Sequence, residues 1–214
     1  GSVYDLNIWI FNKLQRTITG WPGGKPNHDD NFRPERAKPS KKRVLIFSPH
    51  PDDDVISMGG TYARLINQGH EVHVAYQTSG NIAVSNEEAI KFIEVMTSFT
   101  DSLGQKSLLE ITKKEIITKK NDEPESKNVM KIKGLIRKSE CIAASRFLSL
   151  PESNLHFLNL PFYETGFIKK NEPSNIDVEI TCALIKSINP HQIYAAGDLA
   201  DPHGTHRICL DIIF

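Results

Sequence analysis

The chain has 214 residues, with 26 Lys plus Arg balanced by 26 Asp plus Glu, and is 39% hydrophobic and 24% charged. That length supports one sizeable domain, or a domain plus an arm. Zero formal charge argues against a nucleic-acid partner, which selects a basic surface, and no apolar run approaches the about 20 residues needed for membrane insertion.

Gly1-Ser2 stands where a starting Met is expected and reads as a cloning remnant, so the missing leader says little about the natural N-terminus. A short periodic stretch around Leu6, Trp9, Ile10 and Leu14 leads into Gly20-Trp21-Pro22-Gly23-Gly24-Lys25-Pro26, then Pro34 and Pro39. Prolines and glycines at this density deny the backbone regular hydrogen bonding. Residues 1–41 are therefore read as an N-terminal arm and linker, and 42–214 as the folded domain.

From Lys42 the pattern becomes α/β. Val44 to Phe47 has no polar alternation, which suits a parallel strand buried on both faces. Val55, Met58, Tyr62, Leu65 and Ile66 recur at helical spacing, with Gly69 as the stop. A strand over Glu71 to Gln77 and a helix from Glu87 to Phe99 follow, the latter capped by Ser85 or Asn86. Lys106 to Lys138 is lysine-rich with little apolar periodicity and reads as an exposed excursion, its lysines a solvated face or an anionic-ligand patch. A helix to Leu150, a strand at Leu155 to Leu160, a helix from Ile176 to Ile188, a strand at Gln192 to Ala196 and a helix after Pro202 complete the order. Alternation of this kind predicts an α/β fold, a Rossmann-like three-layer sandwich on a mostly parallel sheet, preceded by the arm.

Two clusters fall at the carboxyl ends of predicted strands, where open α/β sheets place their ligands. The first is Ser48-Pro49-His50-Pro51-Asp52-Asp53-Asp54, directly after the first strand. An imidazole and carboxylates on a proline-stiffened turn supply ligands to one metal and leave another carboxylate beside it, the parts of a hydrolytic metal site. One aspartate could simply cap the next helix, and Asp54, nearest to it, is the one best suited to that. The second cluster is Asp201-Pro202-His203-Gly204-Thr205-His206, whose histidines would share one side of a helical turn. Asp201 either orients one of them or caps the helix. Thr78-Ser79-Gly80-Asn81 ends the second strand at the same edge, so Ser79 or Asn81 would contact a bound ligand or only form a turn. Gly59 and Gly60 read as allowing close packing beneath the site. His28 sits in the linker with no strand before it, and His70, His73, His156 and His191 stand alone as structural histidines. Cys141, Cys182 and Cys209 have neither disulfide-framework nor zinc-site spacing, which fits a reducing, cytoplasmic setting.

Pro49-His50-Pro51-Asp52-Asp53-Asp54 after a first strand, with His203-Gly204-Thr205-His206 late in the chain, resembles the PIG-L/LmbE-like family of zinc-dependent de-N-acetylases. That family includes the N-acetylglucosaminyl-phosphatidylinositol de-N-acetylases and the deacetylases of mycothiol and bacillithiol synthesis. The resemblance runs from about Arg43 to the end. It implies that His50, Asp53 and His206 bind Zn2+, or another divalent ion such as Fe2+ or Mn2+, that Asp52 is the general base, and that His203 stabilises the oxyanion. It implies a substrate that is an N-acetylated amino sugar or its conjugate. Asp54 departs from the Glu more usual there, which shortens a side chain at the mouth of the site, and the chain stops at Phe214 where members usually continue. The arm together with Ile18 to Pro26 is similar to bacterial two-domain proteins in which a glucosamine-6-phosphate deaminase-like domain precedes the de-N-acetylase-like one, so a covalently linked deaminase-like domain is expected. Two other functions compete: a metal phosphoesterase, usually with two ions, and a non-catalytic sugar-binding or regulatory domain attached to the deaminase. Self-association is left open.

Overall fold

The computed structural model describes residues 2–7, 9–10, 41–101, 107–197 and 201–214. The expected linker and His28 lie outside the described residues. Four parallel strands, β1 (Arg43–Ser48), β2 (Glu71–Tyr76), β3 (Leu155–Phe157) and β4 (Gln192–Tyr194), form a sheet in the order β3-β2-β1-β4. The helices are α1 (Asp53–Ile56), α2 (Gly59–Asn67), α3 (Asn86–Asp101), α4 (Ser107–Thr118), α5 (Lys127–Phe147), α6 (Asn175–Ile188) and α7 (Thr205–Ile213).

β1 is central and covered on both faces. Val44 and Ile46 pack with Tyr62, Leu65, Val74 and Cys141, while Leu45 and Phe47 pack with Ala75 and Ile188 on the other side. Each fully buried Val, Leu or Ile of this kind contributes roughly 1.5–3 kcal/mol relative to exposure. This three-layer arrangement is the expected α/β sandwich, and it presents the carboxyl ends of β1 and β2 at one edge. Gly69, at φ 76°, ends the second helix as expected, and Ser85 caps α3 through its hydroxyl.

Four expectations are corrected. The span Lys106 to Lys138 is no excursion: it contains α4 and the first half of the 21-residue α5. Ile116, Val129 and Ile136 pack there on Ala89 and Ile93 of α3, and the buried Lys133 is neutralised by Glu125. The helix expected across Val55 to Ile66 is two helices, broken at Ser57 and Met58. Gly59 and Gly60 are not close-packing positions, since a Cβ would meet nothing nearer than 3.7 Å at the first and nothing within 4 Å at the second. His73 and His156 do not stand alone, because the parallel register of β2 and β3 stacks their rings, with His73 Nδ1 3.1 Å from His156 Nε2.

His70 and His191 are structural histidines whose Nδ1 atoms accept the backbone N–H of Lys42 and Arg43. Burial, reinforced by the nearby Lys42 charge, holds the His70 pKa below its ordinary 6.5, and burial with the His73 neighbour does the same for His156. An imidazole depressed in the folded state stabilises the fold while neutral. Its contribution is present above about pH 6.5 and lost as the pH falls through the folded value. Urea stability is therefore expected to fall between pH 7 and pH 5, with a shallower slope in His70→Gln/His156→Gln; an unchanged slope would place the acid sensitivity elsewhere. Gly80 has φ 65°, and a Cβ there would come 2.6 Å from Pro51 Cδ. Gly80→Ala is expected to lose about 1–3 kcal/mol in urea unfolding, because left-handed strain and a clash with a proline ring act together.

Candidate metal centre

The turn after β1 is held from inside. Ser48 Oγ donates to the His50 carbonyl at 2.5 Å and accepts the Asp54 N–H at 3.0 Å. The end of β2 secures it from outside: Thr78 gives both its N–H and its hydroxyl to the Pro49 carbonyl. Within the turn, the His50 N–H donates to Asp53 Oδ2 at 2.8 Å, which folds the carboxylate back against the imidazole of His50.

His206 reaches the same point from α7. Asp201 clamps the approach, accepting the His203 N–H on Oδ1 at 3.0 Å and the His206 N–H on Oδ2 at 2.8 Å. Further along α7, Gln77 Nε2 donates to the Cys209 carbonyl at 2.9 Å, which fastens the helix to the end of β2. Cys209 and Ile212 pack with Leu160, Phe162 and Tyr163. The Tyr163 ring stands edge-on to His50 at 5.9 Å.

The result is a triangle. His50 Nδ1, Asp53 Oδ2 and His206 Nε2 are each 3.2 Å from the other two, and their side chains are only 14–22% exposed. Donors at 2.0–2.1 Å from a tetrahedral ion lie about 3.3 Å from one another, so three corners of such a site are laid out by the protein. Two imidazole nitrogens and a carboxylate oxygen suit zinc, iron or manganese. Burial alone would raise the Asp53 pKa, but the hydrogen bonds from the His50 side chain and backbone and the fields of His206 and His50 outweigh it and hold the carboxyl below its usual range.

The other residues singled out in the sequence fall in distinct places. Asp52 directly precedes Asp53 in the turn, with its side chain 41% exposed, and its Oδ2 accepts from Arg137 Nη2 at 2.8 Å. Asp52 occupies the helix N-cap position, yet no side-chain cap bond forms. Asp54 is not at the mouth of the site. It is 2% exposed, accepts from Tyr76 at 2.9 Å and Ser48 at 3.3 Å, and burial raises its pKa despite those bonds. The shorter side chain ties the turn to β2 beneath the triangle. His203 is exposed and does not share a helical face with His206, because Gly204, at φ 69°, turns the chain between them and α7 begins only at Thr205. Asp201 holds backbone amides of both histidines rather than an imidazole. Asn81 is buried, its amide donating to Ser79 at 2.7 Å and Glu164 at 2.8 Å.

Sequence reasoning missed Arg137. It sits in mid-α5, 85 residues from Asp52, inside the stretch read as an excursion, and its guanidinium also donates to the Pro51 carbonyl at 2.7 Å. Its one available signal was an arginine on the mixed face of a helix, a signal shared by most surface helices.

Comparison with known proteins agrees with this geometry. A protein of Bacteroides thetaiotaomicron named as glucosamine-6-phosphate deaminase-like is 57% identical over 220 residues, covering all of this chain and 33% of its own length. The chain therefore spans a third of that relative. Two proteins named 1D-myo-inositol 2-acetamido-2-deoxy-alpha-D-glucopyranoside deacetylase match over 34% of this chain and 24% of their own length: one from Rhodococcus jostii at 35% identity and one from Tsukamurella paurometabola at 32%. The PIG-L family, described as GlcNAc-PI de-N-acetylase, matches residues 45–214. A match over that span, with the triangle at the carboxyl end of β1, places the chain in the PIG-L family of de-N-acetylases.

Proposed function

We propose that the chain is a metal-dependent hydrolase that removes the N-acetyl group from an N-acetylated amino sugar or its conjugate. The observation that supports this most is the His50–Asp53–His206 triangle, with a further carboxylate, Asp52, in the adjoining position of the same turn. A bound divalent ion, zinc as the first choice and Fe2+ or Mn2+ as others, supplies Lewis acidity toward the amide carbonyl and lowers the pKa of water to about 7. Three protein donors leave the open position that a catalytic site requires.

Asp52 takes a proton from the water whose oxygen bonds to the amide carbon, while Arg137 fixes one carboxylate oxygen and hence its direction. His203, on the exposed turn before α7, stabilises the charge that develops on the carbonyl oxygen. The proton taken by Asp52 passes to the departing nitrogen, directly or through His203, as the C–N bond breaks, and acetate and a free amine leave. Asp54 and Asp201 contribute by holding the two segments that carry the ligands.

Several features of the longer protein belong to the same proposal. A deaminase-like domain is covalently linked to this one, as the Bacteroides relative's name and length suggest, and the two act in amino-sugar metabolism. Residues 1–41 are the arm and linker toward it. All three cysteines are free, which fits a cytoplasmic setting, and no helix among the described residues is long and apolar enough to cross a membrane.

Metal analysis of the purified protein is expected to give one ion per chain, reduced at least tenfold in His206→Ala and Asp53→Ala. Two ions per chain would favour the phosphoesterase reading, and none the non-catalytic one. Asp52→Asn is expected to keep the ion and lose at least about 100-fold in acetate release across a panel of N-acetylated sugars; wild-type rates from this variant would remove Asp52 as the base.

A further inference from the structure

A cavity of about 460 Å³ opens beside Pro51, the residue that joins His50 to Asp52, and runs between the Ser79 turn and α5. From α5 it receives Lys127, Lys131 and Lys138, spaced four and seven residues apart and so on one face of the helix. Gly134, on the same face, brings the helix against the turn: a Cβ there would come 3.3 Å from Ser79 Cβ. The ring of Phe157 forms part of the wall, with Lys138 Nζ 4.6 Å from its centroid.

The charges in this cavity are unbalanced. On the opposite side of α5, the buried Lys133 is paired with Glu125, and Lys113 on α4 is paired with Glu94. Among the described residues no carboxylate forms an ion pair with Lys127, Lys131 or Lys138. The carboxylate on the wall, Glu164, is engaged by the amide of Asn81. In a chain of zero formal charge, three lysines thus line one concave space that begins at Pro51, next to Asp52.

We infer that this groove binds a phosphate ester carried by the acetylated amino sugar, so that the substrate of the metal centre is a phosphorylated one. The inference rests on the amide-hydrolase reading above. Lysines on flexible stems act as point charges that can converge on a phosphate dianion, whose double charge rewards several cations more than the single charge of a carboxylate does. The arginine at this end, Arg137, is already engaged with Asp52.

The test uses the full-length, metal-loaded protein with N-acetylglucosamine and its 1-phosphate and 6-phosphate. Acetate release is expected to show a kcat/KM at least tenfold higher for one phosphorylated sugar than for the neutral one. The difference should lie mainly in KM and shrink with ionic strength, as exposed charges require. Lys131→Gln/Lys138→Gln should reduce that preference at least fivefold. Lys91→Gln/Lys186→Gln, which removes the same charge from exposed positions on α3 and α6, should preserve it. Equal kcat/KM for neutral and phosphorylated sugars, or a preference untouched by the groove pair or lost equally in the control pair, would overturn the inference. Calorimetric binding of the same phosphorylated sugars gives a second readout, expected about tenfold weaker in the groove pair than in the control pair. Unchanged or absent binding would overturn the groove even with no acetate released, while absence of acetate from every sugar would overturn the hydrolase reading alone.

Discussion

One carboxylate oxygen, Asp53 Oδ2, organises the edge of this sheet. It accepts the backbone N–H of His50 and stands 3.2 Å from an imidazole nitrogen of His50 and from one of His206. A charge that is largely out of water is tolerated only where local dipoles and cations compensate its lost hydration. The surrounding architecture meets that need twice, since the turn after β1 curls so that its own amide faces the oxygen, and α7 arrives from 156 residues away to add a ring. Both segments have further anchors besides Asp53. Ser48 and Thr78 fix the turn, and Gln77 and Asp201 fix the helix, so the donors are held in place before anything binds between them.

Three consecutive aspartates then acquire three roles from their surroundings alone. Side-chain exposure falls from 41% at Asp52 to 14% at Asp53, and Asp54 as a residue is 2% exposed. Asp52, paired with an arginine, is the carboxylate left most open to solvent. Asp53, largely covered and surrounded by donors, is held toward its ionised form. Asp54, buried against Tyr76 and Ser48, is pushed toward its protonated form and acts as a fastener. Identical chemistry is differentiated by depth along one helical turn, because successive side chains on a helix point about 100° apart.

Much of this was legible in the sequence where the information is local. The strand Arg43–Ser48 shows as a β-branched run, and the acid-rich turn at its end marks a ligand position because of where strands end in such sheets. The meeting of His50, Asp53 and His206 was legible only through the resemblance to a family, since nothing in the chain that separates His50 from His206 by 156 positions encodes the distance. The stretch Lys106 to Lys138 was misread for a physical reason. In α5 the buried stripe includes Lys133, whose charge is cancelled by Glu125, so a core position carried the letter of a surface one. Val129 and Ile136 flank it at helical spacing, but with a lysine between them the apolar period is broken on paper. Arg137 was hidden by the same misreading. The split of the first helix was also illegible, because Val55 to Ile66 keeps its period straight through the break at Ser57 and Met58.

The triangle itself argues for a cation at its centre, independently of any relative. A neutral imidazole carries one N–H, and the nitrogen facing the triangle holds either that proton or a lone pair. If His50 Nδ1 carries the proton, it can be directed well at Asp53 Oδ2 or at His206 Nε2, but not at both, and an edge is left with lone pair facing lone pair at 3.2 Å. If both facing nitrogens are protonated, each can reach Asp53, yet two N–H groups then oppose each other across the third edge. With Asp53 ionised, no distribution of protons over the two rings satisfies all three edges, and at this degree of burial solvent compensates poorly. A single cation does satisfy them, since every lone pair turns inward at once and the depressed Asp53 pKa keeps that ligand ionised.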